Sequence, residues 1–204
     1  MIKNKILLFD LHGVLIDYSF YELFKLFIKY NKKINLIFCF LDPRIIYKSI
    51  YLLITENIVE KVAVTLISEF PKLEKHSNFI FTGINQQIIK KESFLLLNSL
   101  KENNKIYIFS NIGEKSIQIL TAKYPDFFGY FDEIFYTKSC EDYLCKPTKK
   151  AFENVIKKFD SQDIIFIDNS SKNIKIAQEF GLKTIKFKSY NQLKNAIHYF
   201  PHTT

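Results

Sequence analysis

Two apolar runs in this sequence end in an acid. "ILLFD" closes on Asp10 and "IIFID" on Asp168, the latter followed by Asn169. A third run, "IYIFSN", ends in a hydroxyl and an amide, Ser110 and Asn111, and Lys146 stands in "CKP". His12 lies two residues beyond Asp10, beside Gly13. Carboxylates, a hydroxyl, amides, an imidazole and an ammonium are the groups that move protons and hold anions. They come from distant parts of the chain, so they do chemistry together only if the fold gathers them.

The elements predicted around them would do so. Lys5–Asp10 reads as a short, continuously apolar strand of the kind buried on both faces of a parallel sheet, and Gly13 permits a tight turn after it. Strands are expected again at Lys105–Asn111, around Glu133–Tyr136, over "DIIFID" and over "LKTIKF". Helical patterns fall between them: "QQIIKKESFLLLNSLKENN", "EKSIQILTAKY", a segment begun by Pro147, "SKNIKIAQEFG" closed by Gly181, and a final "NQLKNAIHYF". Alternating strands and helices imply an α/β fold with a Rossmann-like, doubly wound parallel sheet. Ligands bind such sheets beyond the carboxyl ends of the strands, and all the residues above except Lys146, which is in a loop, stand at those ends. From Tyr18 to about Phe70 the pattern is helical, with Asp42 as an N-cap ahead of Pro43. Helices in succession with no strand form an insertion after the first strand.

Composition narrows the function classes. The chain has 204 residues, 48% of them hydrophobic, enough for a buried core. The net charge of +8 favours anionic ligands, but the lysines are scattered and no nucleic-acid motif accompanies them. Cys39, Cys140 and Cys145 form neither a disulfide framework nor a zinc motif, which fits a reducing cytoplasm. The N-terminal apolar run stops at Asp10, too early for a signal peptide. The apolar stretches Ile34–Leu41 and Ile45–Ile54 are interrupted by Asp42, Pro43, Arg44 and Lys48, so no membrane span is expected.

The four segments "FDLHGVL", "IFSN", "CKP" and "IFIDNSSKN", in this order, resemble the motifs of the haloacid dehalogenase-like (HAD) hydrolase superfamily. The resemblance implies a core over residues 1–17 and 88–204 and a small α-helical cap over 18–87. It implies a phosphatase or phosphotransferase acting on a small phosphorylated metabolite, with Asp10 attacking phosphorus to form an aspartyl-phosphate. Ser110 and Asn111 would bind the phosphoryl group, and Lys146 would neutralise both nucleophile and phosphate. Mg2+ would be held by Asp10, the main-chain carbonyl of His12, and Asp168 or Asn169.

Two positions depart from the family pattern. Phosphatases of the family carry an acid–base Asp where His12 stands; a histidine titrates near neutrality and can fill that role, or else disables the enzyme. Motif four usually has a second acid where Asn169 stands, so one negative charge is lost, while Ser170 and Asn173 would orient the loop or cap a helix. Two alternatives follow. One is a catalytically impaired phosphate-binding or regulatory protein. The other is a metal-independent haloacid dehalogenase, in which Arg44, the sole arginine, would hold a substrate carboxylate.

Overall fold

The computed structural model describes residues 3–159 and 163–198. Five strands form one parallel sheet in the order β5-β4-β1-β6-β7: β1 (Ile6–Phe9), β4 (Lys105–Gly113), β5 (Glu133–Thr137), β6 (Ile164–Asp168) and β7 (Lys183–Lys186). The chain builds outward from β1 through β4 to β5, then returns to the other side of β1 for β6 and β7. That reversal opens a crevice at the carboxyl ends of β1, β4 and β6.

Side-chain alternation explains why both faces need helices. Leu7, Phe9, Ile106, Ile108, Ile165 and Ile167 point to one face. There they pack with α6 (Lys91–Lys101), α7 (Glu114–Lys123) and α11 (Tyr190–His198). Leu8, Phe109, Ile164 and Phe166 point to the other face. They meet α9 (Lys149–Ile156) and α10 (Ser171–Glu179). A short α8 (Pro125–Phe128) adds Phe127 and Phe128 to the first face. The fold is therefore the doubly wound α/β arrangement read from the sequence. Gly181 follows α10 at φ +74, the left-handed conformation that ends a helix.

Residues between the first strand and the rest of the core form α1 (Phe20–Lys29), α2 (Lys33–Phe40), α3 (Pro43–Thr55), α4 (Val59–Glu69), a 3-10 helix over Pro71–His76, and α5 (Ser77–Ile84). Asp42 caps α3, accepting from the Arg44 amide at 3.0 Å, with Pro43 at the first position. These helices keep a small core of their own around Ile45, Leu52, Val62, Leu66 and Leu73.

Three expectations are corrected. "QQII" does not begin a helix: Gln87–Ile89 is a strand, β3, paired antiparallel with β2 (Ile16–Tyr18), so a two-stranded ribbon carries the chain into and out of the helical segment. Its register is set by a partner about 70 residues away, a contact no local pattern reveals. Pro147 does not start a helix either. It follows a cis peptide after Lys146, and α9 begins at Lys149 behind the N-cap Thr148. The "IFSN" strand runs two residues further than expected, to Gly113, with its pairing to β5 irregular between Phe109 and Gly113. No helix among the described residues is long and apolar enough to cross a membrane.

Candidate active site

Sheet register assembles the site. Phe9 lies level with Ile108 on one side and Ile167 on the other, so Asp10 emerges between Phe109 and Asp168. The Asp10 amide donates to the Ile167 carbonyl at 2.8 Å, which fixes that exit. Ser110 and Asn111 fall within the irregular stretch of β4, where a departure from the ladder re-aims side chains.

Lys146 arrives from the loop after β5 and is buried. Its Nζ donates to Asp10 Oδ1 at 3.0 Å and to Asp168 Oδ2 at 2.7 Å, with the rings of Phe109 and Phe166 5.1 and 5.3 Å away. Burial alone would lower the lysine pKa, but the two carboxylates outweigh it and hold Lys146 above its ordinary value, so it remains charged. Asn111 fixes the loop that delivers it: its carboxamide donates to the Lys146 carbonyl and accepts from the Lys146 amide, both at 2.8 Å. The Asn111 side chain thus positions the lysine, where an anion contact was expected.

Asp168 accepts three hydrogen bonds. Oδ1 accepts from the Ser170 amide at 2.7 Å, and Oδ2 from both Lys146 and the Asn173 carboxamide, the latter at 2.9 Å. Burial raises its pKa, against the pull of Lys146. Ser170 also caps α10. Asn169 is exposed, and its carboxamide lies over Gly13: a Cβ added there would sit 2.2 Å from Asn169 Nδ2. Gly13 has φ +76, so both its backbone and this close approach require glycine. Lys90 Nζ holds the Gly13 carbonyl at 3.0 Å and thereby the whole turn.

A cavity of about 210 Å³ opens over these groups, lined among others by Asp10, His12, Ser110 and Lys146. No hydrogen bond among the described residues reaches Asp10 Oδ2. Ser110 Oγ is buried there without a partner, while the His12 ring and the Gln87 side chain interact with each other across the cavity wall. A buried hydroxyl left so is uncommon in folded proteins unless a ligand or water meets it. Burial holds the His12 pKa below its ordinary value, despite the nearby Asp10 charge. The ring stacks on Tyr18, centroids 5.6 Å apart and planes 17° from parallel.

Several cavity residues escaped the sequence reading, Tyr18, Gln87 and Glu60 among them. Tyr18 and Gln87 come from the β2–β3 ribbon, and Glu60 from α4. Glu60 accepts from the amides of Ser116 at 2.8 Å and Lys115 at 3.3 Å, at the positive end of α7. A capping box would have been legible, but a cap supplied from 55 residues away is not. Arg44, by contrast, is far from the chemistry in its bonding. Its guanidinium makes a two-point ion pair with Asp42 on an exposed surface, and it does not line the cavity.

Magnesium prefers oxygen donors and often keeps waters beside one or two carboxylates and a phosphate. Asp10, the His12 main-chain carbonyl, and Asp168 or Asn169 are the oxygen donors that would hold such an ion here. A protein cage is not formed: no group of three His, Cys, Asp or Glu side chains gathers among the described residues.

The family model for haloacid dehalogenase-like hydrolases matches residues 4–181. The chain belongs to that family. Solved structures of HAD proteins share its fold. A HAD family enzyme of Bacteroides thetaiotaomicron, in complex with magnesium and inorganic phosphate, is 24% identical with a TM-score of 0.60, covering 91% of this chain and 94% of its own. A predicted HAD-like hydrolase of Porphyromonas gingivalis is 20% identical with a TM-score of 0.63, covering 98% of this chain and 100% of its own. The L-2-haloacid dehalogenase of Xanthobacter autotrophicus, with chloropropionic acid covalently bound, is 14% identical with a TM-score of 0.59, covering 97% of this chain and 84% of its own. No curated protein matches this HAD chain.

Proposed function

We propose that this HAD protein is a magnesium-dependent phosphatase acting on a small phosphorylated metabolite through an aspartyl-phosphate on Asp10, with residues 18–87 serving as its cap. The observation that carries the reading is the buried Lys146 bridging Asp10 and Asp168 at the wall of the cavity that Asp10 lines, its Nζ on Asp10 Oδ1 and no hydrogen bond among the described residues on Oδ2. A carboxylate so held has one oxygen neutralised and the other presented for attack.

In the first step Asp10 Oδ2 forms a bond to phosphorus as the bond from phosphorus to the leaving oxygen breaks. His12 donates the proton that the leaving oxygen needs. In the second step water attacks phosphorus, gives its proton to His12, and releases phosphate and the Asp10 carboxylate. Ser110 Oγ, buried and unpartnered, donates to a phosphoryl oxygen. Lys146 offsets the charge that builds on the equatorial oxygens.

Among the described residues, Lys146 is the only lysine or arginine lining the cavity, against Asp10 and Glu60. A bound phosphate therefore adds to an anionic site, and magnesium would supply the missing positive charge. That balance explains the metal dependence expected here. Arg44, paired with Asp42 and outside the cavity lining, lends no support to a dehalogenase. The reading is tested with a nitrophenyl phosphate, with and without magnesium. Turnover that requires the metal supports it. Halide release from a 2-haloacid without metal would replace it, and a magnesium-dependent thermal shift with phosphate but no turnover would leave a binding protein.

A further inference from the structure

α1 is the most amphipathic of the cap-segment helices, yet it buries no residue. A helix of that pattern normally covers its apolar stripe with other elements. Here the stripe walls an open groove of about 980 Å³, shared with neighbouring helices through Leu23, Phe24, Phe27, Ile37, Leu53 and Ile80. The volume stands at the top of the range of small-molecule sites, roughly 300–1,000 Å³. No charged side chain among the described residues lines it. Phe24 and Leu53 are 61% and 60% exposed. A contiguous apolar surface of this kind marks a binding site.

Its place decides what it binds. Tyr18, Val59 and Ile84 border both this groove and the polar cavity, so only single side chains separate them. Tyr18 is also the ring stacked on His12, the group assigned to the leaving oxygen. A substrate whose phosphate meets Asp10 and Ser110 thus extends its leaving group past His12 and Tyr18 toward the groove.

We infer that the substrate is a phosphate monoester of an amphiphile, its phosphate in the polar cavity and one long hydrocarbon chain in the groove. This rests on the phosphatase reading. The free energy comes from the chain: each methylene buried favours binding by roughly fourfold.

The test measures kcat/KM for butyl, octyl and dodecyl phosphate below their micelle-forming concentrations, with nitrophenyl phosphate as the chain-free reference. With the chain partly buried, dodecyl phosphate should exceed butyl phosphate by about 10²-fold or more. Phe24→Asp and Leu53→Asp, at exposed positions that tolerate charge, should flatten this rise and leave nitrophenyl phosphate turnover unchanged. Turnover of nitrophenyl phosphate with no chain-length dependence overturns the substrate class and leaves the phosphatase reading standing. If no ester is hydrolysed, the phosphatase reading has failed, and calorimetric binding of dodecyl phosphate decides the groove. Binding that Phe24→Asp abolishes supports a hydrocarbon site; its absence overturns one. A dimer that Phe24→Asp dissociates, together with a flat chain-length series, gives the groove to a second copy of the chain and also overturns the proposal.

Discussion

At the scale of residues, the site turns on a buried cation and a buried histidine. Lys146 compensates two carboxylates, so removing it leaves uncompensated charge in the core. Lys146→Met should lower stability by about 3–5 kcal/mol at neutral pH, read by denaturant titration. The sign of its pH dependence follows. Without the ammonium, the main pull against the burial that raises the Asp168 pKa is gone, so the deficit should shrink as pH falls and that carboxylate protonates. A deficit that does not change with pH would place the lost energy in packing. His12 bears on rate. Burial lowers its pKa, so below the ordinary value of 6.5 is where its protonated, donating form accumulates. The kcat/KM profile should therefore climb as pH drops from 8 toward 6. His12→Ala should reduce turnover by roughly 10²–10⁴-fold, and His12→Asp should retain or raise it. A large gain for His12→Asp over a nearly inactive parent would mean that the histidine disables the site.

At the scale of elements, the helical segment is tied to the core by the β2–β3 ribbon and by Glu60. The Glu60 carboxylate meets two amides at the start of α7. Gly113, directly before that helix, leaves room for it: an added Cβ would lie 2.3 Å from Glu60 Cδ. Glu60→Ala should therefore cost about 1–3 kcal/mol, the range for a hydrogen-bonded charge at a helix start. Gly113→Ala should cost a similar amount by expelling the same carboxylate. The double variant should lose less than the sum of the two, because both remove one interaction, while the Cβ kept at position 60 would still lie 2.7 Å from the added one. Additive losses in urea titrations would show that the two residues act separately.

At the scale of the molecule, the sequence displayed what strands and acids display. Asp10, Ser110 and Asp168 each close an apolar run, and parallel register alone brings such ends together. Lys146 was legible by its motif, and its burial follows from the carboxylates awaiting it. What stayed hidden depends on contacts across the chain. Gln87 looked helical because the apolar spacing continues into α6, while its strand exists only through Ile16–Tyr18. Asn111 looked like an anion ligand, but its two hydrogen bonds to the Lys146 backbone use the carboxamide. Asn169 sits beside Asp168 in sequence and over Gly13 in space. The whole arrangement makes one central claim, that Asp10 carries the phosphoryl group. Nitrophenyl phosphate hydrolysis by the wild-type protein and by Asp10→Asn, each with magnesium and then with a chelator, tests it directly. The account expects turnover in the wild type with magnesium, its loss on chelation, and none from Asp10→Asn under either condition. Hydrolysis by Asp10→Asn at the wild-type rate would contradict it.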